Sequence, residues 1–375
     1  MKILVVGAGF AGAVYARSLA DAGHIVTVID KRPHLAGNAY DFVDANGVRV
    51  HLYGPHLFHT KSQRIIDWLK RFGSFVPYQH RVRVLLPNGR LAPLPINLDT
   101  VNAVFGTAFT ARAEVEEHLR NISLKIEDPK NAAEYLHAKI GTELTNLFFR
   151  PYTKKMWGFD LEDMSTAVVK RIPLRFDRVD TYFADDETQM MPANGYTTLF
   201  ESIFQHERIE MRLETSFSRD LLPDYGCCFN AMPIDEYFGF ELGDLPYRSI
   251  RFHVRNEADG PPPIAPVTNF TDSGPFTRET TWDALPRHRV EHTGRRTITK
   301  EEPCDYKDNG MERYYPVKTA DGRFQVLYEK YKKMAEAEPN MEFIGRCGTY
   351  QYLDMDQVIN QSLAGVERWL SRQQS

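Results

Sequence analysis

The chain is poor in cysteine, with four among 375 residues, at positions 227, 228, 304 and 347. Two are adjacent, and none has the spacing of a metal-ligand set or a disulfide framework. The sequence therefore predicts reduced, partly buried thiols of the kind a cytoplasmic protein keeps. An excess of one charge is also missing, since 46 basic side chains stand against 50 acidic ones. That balance leaves no electrostatic footprint for nucleic acid or for an anionic membrane, so anions must be bound by local arginines and helix ends. No apolar run is long enough to cross a bilayer, and membrane insertion is not expected. A secretory signal would have to overlap the first strand, and none is expected. Repeats, low-complexity tracts and flexible linkers are absent. So are HExxH, GxSxG, the Walker loop and CxxC. No metal site is expected, a protein nucleophile is a poor basis for catalysis, and the hard step falls to a cofactor.

What is present starts at residue 2. Lys2-Ile3-Leu4-Val5-Val6 is a short apolar run suited to a buried parallel strand. Gly7-Ala8-Gly9-Phe10-Ala11-Gly12 follows, then a helical stretch through Ala22 and a second strand, residues 24–29, ending on Asp30. Gly7 permits the tight turn, Gly9 lets the backbone approach a pyrophosphate, and Gly12 lets the helix pack close to the sheet. Asp30 stands where a carboxylate accepts hydrogen bonds from a ribose hydroxyl. Taken alone, these features suit a dehydrogenase carrying NAD. The run Lys31-Arg32-Pro33-His34-Leu35-Ala36-Gly37-Asn38-Ala39 is similar to the extended fingerprint of two-dinucleotide-fold flavoproteins and favours FAD. Read plainly, Pro33 and Gly37 only punctuate a surface loop.

Further along, residues 48–53 predict a strand and 62–73 an amphipathic helix with Ile65, Ile66, Trp68 and Leu69 on its apolar stripe. Alternation over 80–95 around Pro87-Asn88-Gly89 predicts a hairpin. Residues 99–157 carry a helical pattern. Residues 170–190 and 247–300, rich in β-branched and aromatic side chains, predict an antiparallel sheet, with 248–254 and 295–300 alternating as half-buried strands. A late strand at 341–344 and a closing helix at 355–369 are placed to complete the nucleotide-binding sheet. The expected domains are 1–75, 190–245 and 320–375 for the cofactor, 98–160 for a helical bundle, and 76–97, 161–189 and 246–319 for an antiparallel-sheet substrate unit.

Three segments concentrate chemistry. Residues 53–60 place His56 and His59 around a flexible glycine, either as a structural turn or as neighbours of a flavin ring. Residues 148–158 gather Phe148, Phe149, Tyr152 and Trp157 with three cations, and Pro151 is expected to break or kink their helix. Such a cluster either packs one lobe on another or stacks a planar base. Arg171, Arg175 and Arg278 offer guanidinium groups suited to a diphosphate, although a surface ion pair is the ordinary fate of a single arginine.

The collection resembles the UDP-galactopyranose mutases along nearly the whole chain. The resemblance is carried by VGAGFAGAVYA at 6–16, DKRPHLAGNAY at 30–40, YGPHLFHT at 53–60, FFRPYTKKMWG at 148–158 and KRIPLRF at 170–176. NFTD at 269–272, YYPV at 314–317 and IGRCGTYQYLDMDQVI at 344–359 extend it. It implies an α/β, two-dinucleotide-binding-type FAD fold with an inserted helical bundle and an antiparallel β-sheet. The implied activity interconverts the pyranose and furanose forms of a nucleotide sugar. Reduced FAD acts as the nucleophile, without net redox change, after reduction by an external donor such as NAD(P)H. UDP-galactopyranose is the default substrate, with UDP-N-acetylgalactosamine or a dTDP-6-deoxyhexose as alternatives. An amine-oxidase-type flavoenzyme and a non-catalytic nucleotide binder are the readings of other classes. A homodimer is a further family-level expectation.

By the same resemblance FAD meets Gly7, Gly9, Ala11, Gly12, Asp30, Lys31, Gly37 and Asn38 first. His56, Leu57, Arg346, Leu353, Asp354 and Met355 complete its site. Arg171 and Arg278 are assigned to the diphosphate with Tyr315 and Tyr352, and His59, with the two arginines, to catalysis. Phe148, Phe149 and Tyr152 go to the base, Trp157 to the sugar on a mobile loop, and His80, Thr188 and Asn269 to other parts of the substrate. The chain departs from the family pattern in places. Thr188 replaces an aromatic of a YFSDxYxG motif, Arg150-Pro151 a lysine-glycine pair, and Met156 a glutamine. Asn194-Gly195 replaces a small turn, and Met232 a glycine. These changes cluster around substrate and leave the sugar and base open.

Overall fold

The computed structural model describes residues 1–170 and 172–374. Its first layer is a five-stranded parallel sheet in the order Ile209–Arg212, Ile25–Ile29, Lys2–Val6, Cys227–Asn230, Met341–Phe343. Ile3, Leu4 and Val5 are fully buried, as a strand covered on both faces requires. The chain leaves this sheet for long excursions and returns at residue 341 to complete its edge. The closing helix, Met355–Gln374, then lies along the first helix, Phe10–Asp21. Contact there is close: a Cβ on Gly365 would fall 2.0 Å from the Tyr15 hydroxyl, which donates to Glu342 at 3.2 Å.

The second layer is a seven-stranded sheet in the order Tyr315–Pro316, Tyr247–Ala258, Arg295–Asp305, Arg278–Thr281, Val267–Phe270, Val82–Leu85, Leu91–Leu94. All neighbours are antiparallel except Val267–Phe270 with Val82–Leu85. The hairpin expected around Asn88-Gly89 joins its last two strands. The expectation of sheet over 170–190 is corrected. Asp177, Asp180, Asp185 and Asp186 interrupt any alternation, and most of the described part of the segment runs as turns, bends and irregular backbone. Only its end, Thr188–Pro192, is a strand, in a separate three-stranded sheet with Phe58–Thr60 and Phe75–Pro77.

The helical lobe packs on the second sheet, with helices Leu98–Phe105, Arg112–Ile122, Ala132–Leu144 and Arg150–Trp157. Asn97 caps the first, accepting from the Thr100 N–H at 3.0 Å. Pro151 does not break its helix. It stands in the first turn, where its missing N–H costs nothing. The irregularity lies upstream, at Gly141 with φ +74° and in the single π-type turn Thr145–Phe149.

Candidate active site

A cavity of about 590 Å³ runs from the glycine turn to the helical lobe, walled by both sheets. At its first end the backbone geometry demands glycine: a Cβ on Gly12 would lie 1.8 Å from the Gly7 carbonyl oxygen, and one on Gly37 would lie 2.9 Å from the Gly9 Cα. Asp30 accepts from the Ala8 N–H at 2.7 Å and the Arg32 N–H at 2.9 Å, which fixes its carboxylate on the cavity wall. The first helix has neither a side-chain cap nor an acid in its first turn, so its N-terminal N–H groups favour an anion. Arg346 Nε and Arg313 Nε and Nη2 are buried without a partner, and both residues line the cavity. These unmet donors and the glycine cradle fit an anionic dinucleotide.

Midway, histidines define a neutral chain. The Gly54 carbonyl accepts from His56 Nδ1 at 2.8 Å, and the His56 N–H donates to His51 Nδ1 at 3.0 Å. His51 therefore carries its proton on Nε2 and donates to His288 Nε2 at 3.0 Å, while His288 Nδ1 donates to the Pro286 carbonyl. Burial is the main cause that holds His51 well below the ordinary imidazole value and brings His56 and His288 to about 4. His80, hydrogen-bonded to the Tyr78 hydroxyl at 3.0 Å, is brought to about 3 by burial and then by Arg278. His59 differs, because its Nδ1 lies 2.5 Å from the Asp186 carboxylate and its ring stacks on Phe183.

Toward the helical lobe, Arg278 donates from Nε to Glu301 Oε2 at 2.6 Å, and Glu301 is 1% exposed. This is the one side-chain hydrogen bond Arg278 makes among the described residues. Burial opposes its charge, but Glu301 and the phenols of Tyr152 and Tyr352 outweigh that, so the guanidinium stays charged. Burial raises the Glu301 carboxyl, and Arg278 offsets this only in part. Phe149, Tyr152, Met156 and Trp157 form the facing wall. Trp157 ends its helix and packs edge-on against Tyr315 and Tyr352. The Met156 carbonyl beneath it accepts from Arg248 Nε at 3.0 Å and the Tyr315 hydroxyl at 2.7 Å. Trp157 is thus placed on a clamped helix end.

The cavity brings together Gly7, Gly9, Ala11, Gly12, Asp30, Lys31, Gly37, Asn38, His56, Leu57 and His59. His80, Phe149, Tyr152, Trp157, Asn269, Arg278, Tyr315, Arg346, Tyr352, Leu353, Asp354 and Met355 also line it. Phe148 packs in the core of the helical lobe, away from the wall. Thr188 pairs with Thr60 in the small sheet, and Arg175 reaches Asp185 at 3.4 Å; neither lines the cavity. Arg171 lies outside the described residues. Sequence reasoning missed Glu301 and Asp186. Both partners arrive from distant strands or turns, and only the acidic pair Asp185-Asp186 beside a family motif hinted at one of them. Among the described residues no helix is long and apolar enough to cross a membrane, and no three His, Cys, Asp or Glu side chains converge as metal ligands.

Residues 147–352 match the family model described as UDP-galactopyranose mutase, and residues 5–72 match an NAD(P)-binding Rossmann-like domain. A Klebsiella pneumoniae protein named "Probable UDP-galactopyranose mutase" is 35% identical over 99% of this chain and 95% of its own. An Escherichia coli dTDP-fucopyranose mutase is 34% identical over 98% of each. Among solved structures, a reduced UDP-galactopyranose mutase superposes with TM-score 0.80 at 18% identity, covering 99% of this chain and 94% of that one. A redesigned putrescine oxidase shares the fold at TM-score 0.60 and 11% identity, covering 99% of each. On its near-complete alignment with these mutases, the chain belongs to the UDP-galactopyranose mutase family.

Proposed function

We propose that this protein binds FAD and, with the flavin reduced, interconverts the pyranose and furanose forms of a nucleotide sugar, UDP-galactopyranose first among them. The carrying observation is Arg278: a charged guanidinium, held through Nε by a buried carboxylate, on the wall of an aromatic cavity continuous with a dinucleotide cradle. When bound and reduced, the flavin supplies a nucleophilic nitrogen for the anomeric carbon.

The chain's own residues do the rest. The turn at Gly7–Gly12 and the donors of Arg346 and Arg313 hold the cofactor's pyrophosphate, and Asp30 holds its ribose. Arg278 takes the negative charge that develops on the departing diphosphate, and Glu301 fixes the direction of that guanidinium. Phe149 and Tyr152 hold the base, and Trp157 closes the pocket around the sugar, excluding water. An NAD(P)H donor in the cytoplasm reduces the flavin, and the protein works as a homodimer.

The E. coli relative makes a dTDP-6-deoxyhexose the second substrate to assay, because its identity is within one percentage point of the Klebsiella protein's. Arg278→Ala tests the carrying observation. It is expected to keep its flavin and lose turnover by about 10²–10³-fold. Turnover within about twofold of the unsubstituted protein would remove Arg278 from the mechanism.

A further inference from the structure

We propose that His59, oriented by Asp186, is the catalytic acid and base that exchanges a proton with the sugar ring as it opens and recloses. The proposal rests on the mutase reading above. In a pyranose-to-furanose change the C1–O5 bond breaks, its electron pair stays on O5, and O5 takes a proton. The electron pair that C1 lacks meanwhile would be supplied by the cofactor bound in the cavity and returned to it on ring closure. Then a lone pair of O4 forms the C1–O4 bond, and O4 loses its proton. Net proton uptake is zero, so one group that gives a proton and takes one back serves both halves.

Three histidines line the cavity, and their partners separate them. His56 spends Nδ1 on the Gly54 carbonyl and His80 spends Nδ1 on the Tyr78 hydroxyl; neither has a carboxylate, and arginines lie near both. His59 alone of the three donates to a carboxylate, Asp186 Oδ2, at 2.5 Å. That carboxylate fixes the Nδ1–H tautomer, so Nε2 is the nitrogen that serves the cavity. The ring is held in plane by Phe183, stacked at 3.6 Å and 13°, and the Phe183 carbonyl is tied to the Gln189 side chain at 3.0 Å. Other charged or titratable groups nearby are Lys61, 3.9 Å from Asp186 Oδ1, His80, and Asp356 on the closing helix, which accepts from Thr60. Lys61 is largely exposed and takes the second Asp186 oxygen, which leaves Oδ2 to the histidine.

The test uses flavin-loaded, reduced protein and a nucleotide sugar labelled with oxygen-18 between C1 and the β-phosphorus. Movement of the label to a non-bridging position reports C1–O cleavage alone, while furanose formation reports the ring steps. His59→Gln is expected to lower furanose formation about 100-fold and Asp186→Asn about tenfold, with label movement and flavin content within about twofold of the parent. In flavin-free protein, nitrogen-15 spectra are expected to show His59 protonated on Nδ1, and Asp186→Asn is expected to shift it toward the Nε2 tautomer. Full furanose formation by both variants would overturn the proposal. So would equal losses of label movement and furanose, or an unchanged tautomer in Asp186→Asn. Absence of furanose from the unsubstituted protein would instead overturn the mutase reading, and this proposal with it.

Discussion

In the Arg278–Glu301 pair a single buried acid holds a guanidinium on the wall of the cavity. Glu301 reaches only Nε, so the broad end of Arg278 is left for a ligand. Removing the acid leaves a cation beside an apolar wall without its anchor, and breaking such a pair typically costs about 3–5 kcal/mol when both partners are buried. Arg278 faces a cavity that water can enter, so Glu301→Ala is expected to cost somewhat less than that, about 2–3 kcal/mol in chemical denaturation. A change under about 0.5 kcal/mol would show that the pair is not the anchor.

The histidine chain carries a pH signature. His288 is 2% exposed and sits at about 4, against an ordinary 6.5. Its folded value is depressed, so the unfolded chain binds more protons between those values. Stability is full above about 6.5 and falls as pH drops toward 4, by about 3 kcal/mol for this one residue. His51 acts in the same direction. Unfolding free energies measured between pH 7 and 4 are expected to fall with acid, and His288→Asn to flatten the slope. An equal slope in the variant would place the acid sensitivity elsewhere.

At the scale of elements, the most legible parts were those where local pattern and tertiary role agree. The first strand, the glycine turn, the first helix and the strand ending before Asp30 are all where periodicity and the glycines put them. The 87–89 hairpin was legible for the same reason. Residues 170–190 were not, because aromatic and β-branched composition mimics a strand, while the intervening aspartates serve turns and ion pairs with Arg81, Arg83 and Arg175. Pro151 misled because a proline reads as a break wherever the helix start is unknown. Helix packing gives the test at this scale. Gly365→Ala places a methyl 2.0 Å from the Tyr15 hydroxyl and is expected to cost about 1–3 kcal/mol. Adding Tyr15→Phe removes that oxygen and is expected to restore part of the loss in a double-mutant cycle. Simple additivity would contradict the contact.

For the molecule as a whole, the decisive fact is that the chain returns at residue 341 to an edge of the sheet it began, closing a cavity to which both sheets and the helical lobe contribute. No local pattern announces such a cavity, which is why the pairing of Asp186 with His59 and of Glu301 with Arg278 is legible only in the fold. The global consequence is that cofactor binding and stability are linked. Added FAD is expected to raise the melting temperature of flavin-free protein, and Gly12→Ala, whose methyl would strike the Gly7 carbonyl, to abolish that shift. The measurement that tests the central claim most directly is anaerobic incubation of the FAD-loaded protein, oxidised and dithionite-reduced, with UDP-galactopyranose and dTDP-fucopyranose, with pyranose and furanose forms separated chromatographically. A furanose product from at least one sugar nucleotide, formed with reduced flavin and absent with oxidised flavin, is the expected result. No furanose from either with reduced flavin bound, or an oxidised product formed by the oxidised flavin, would contradict the account.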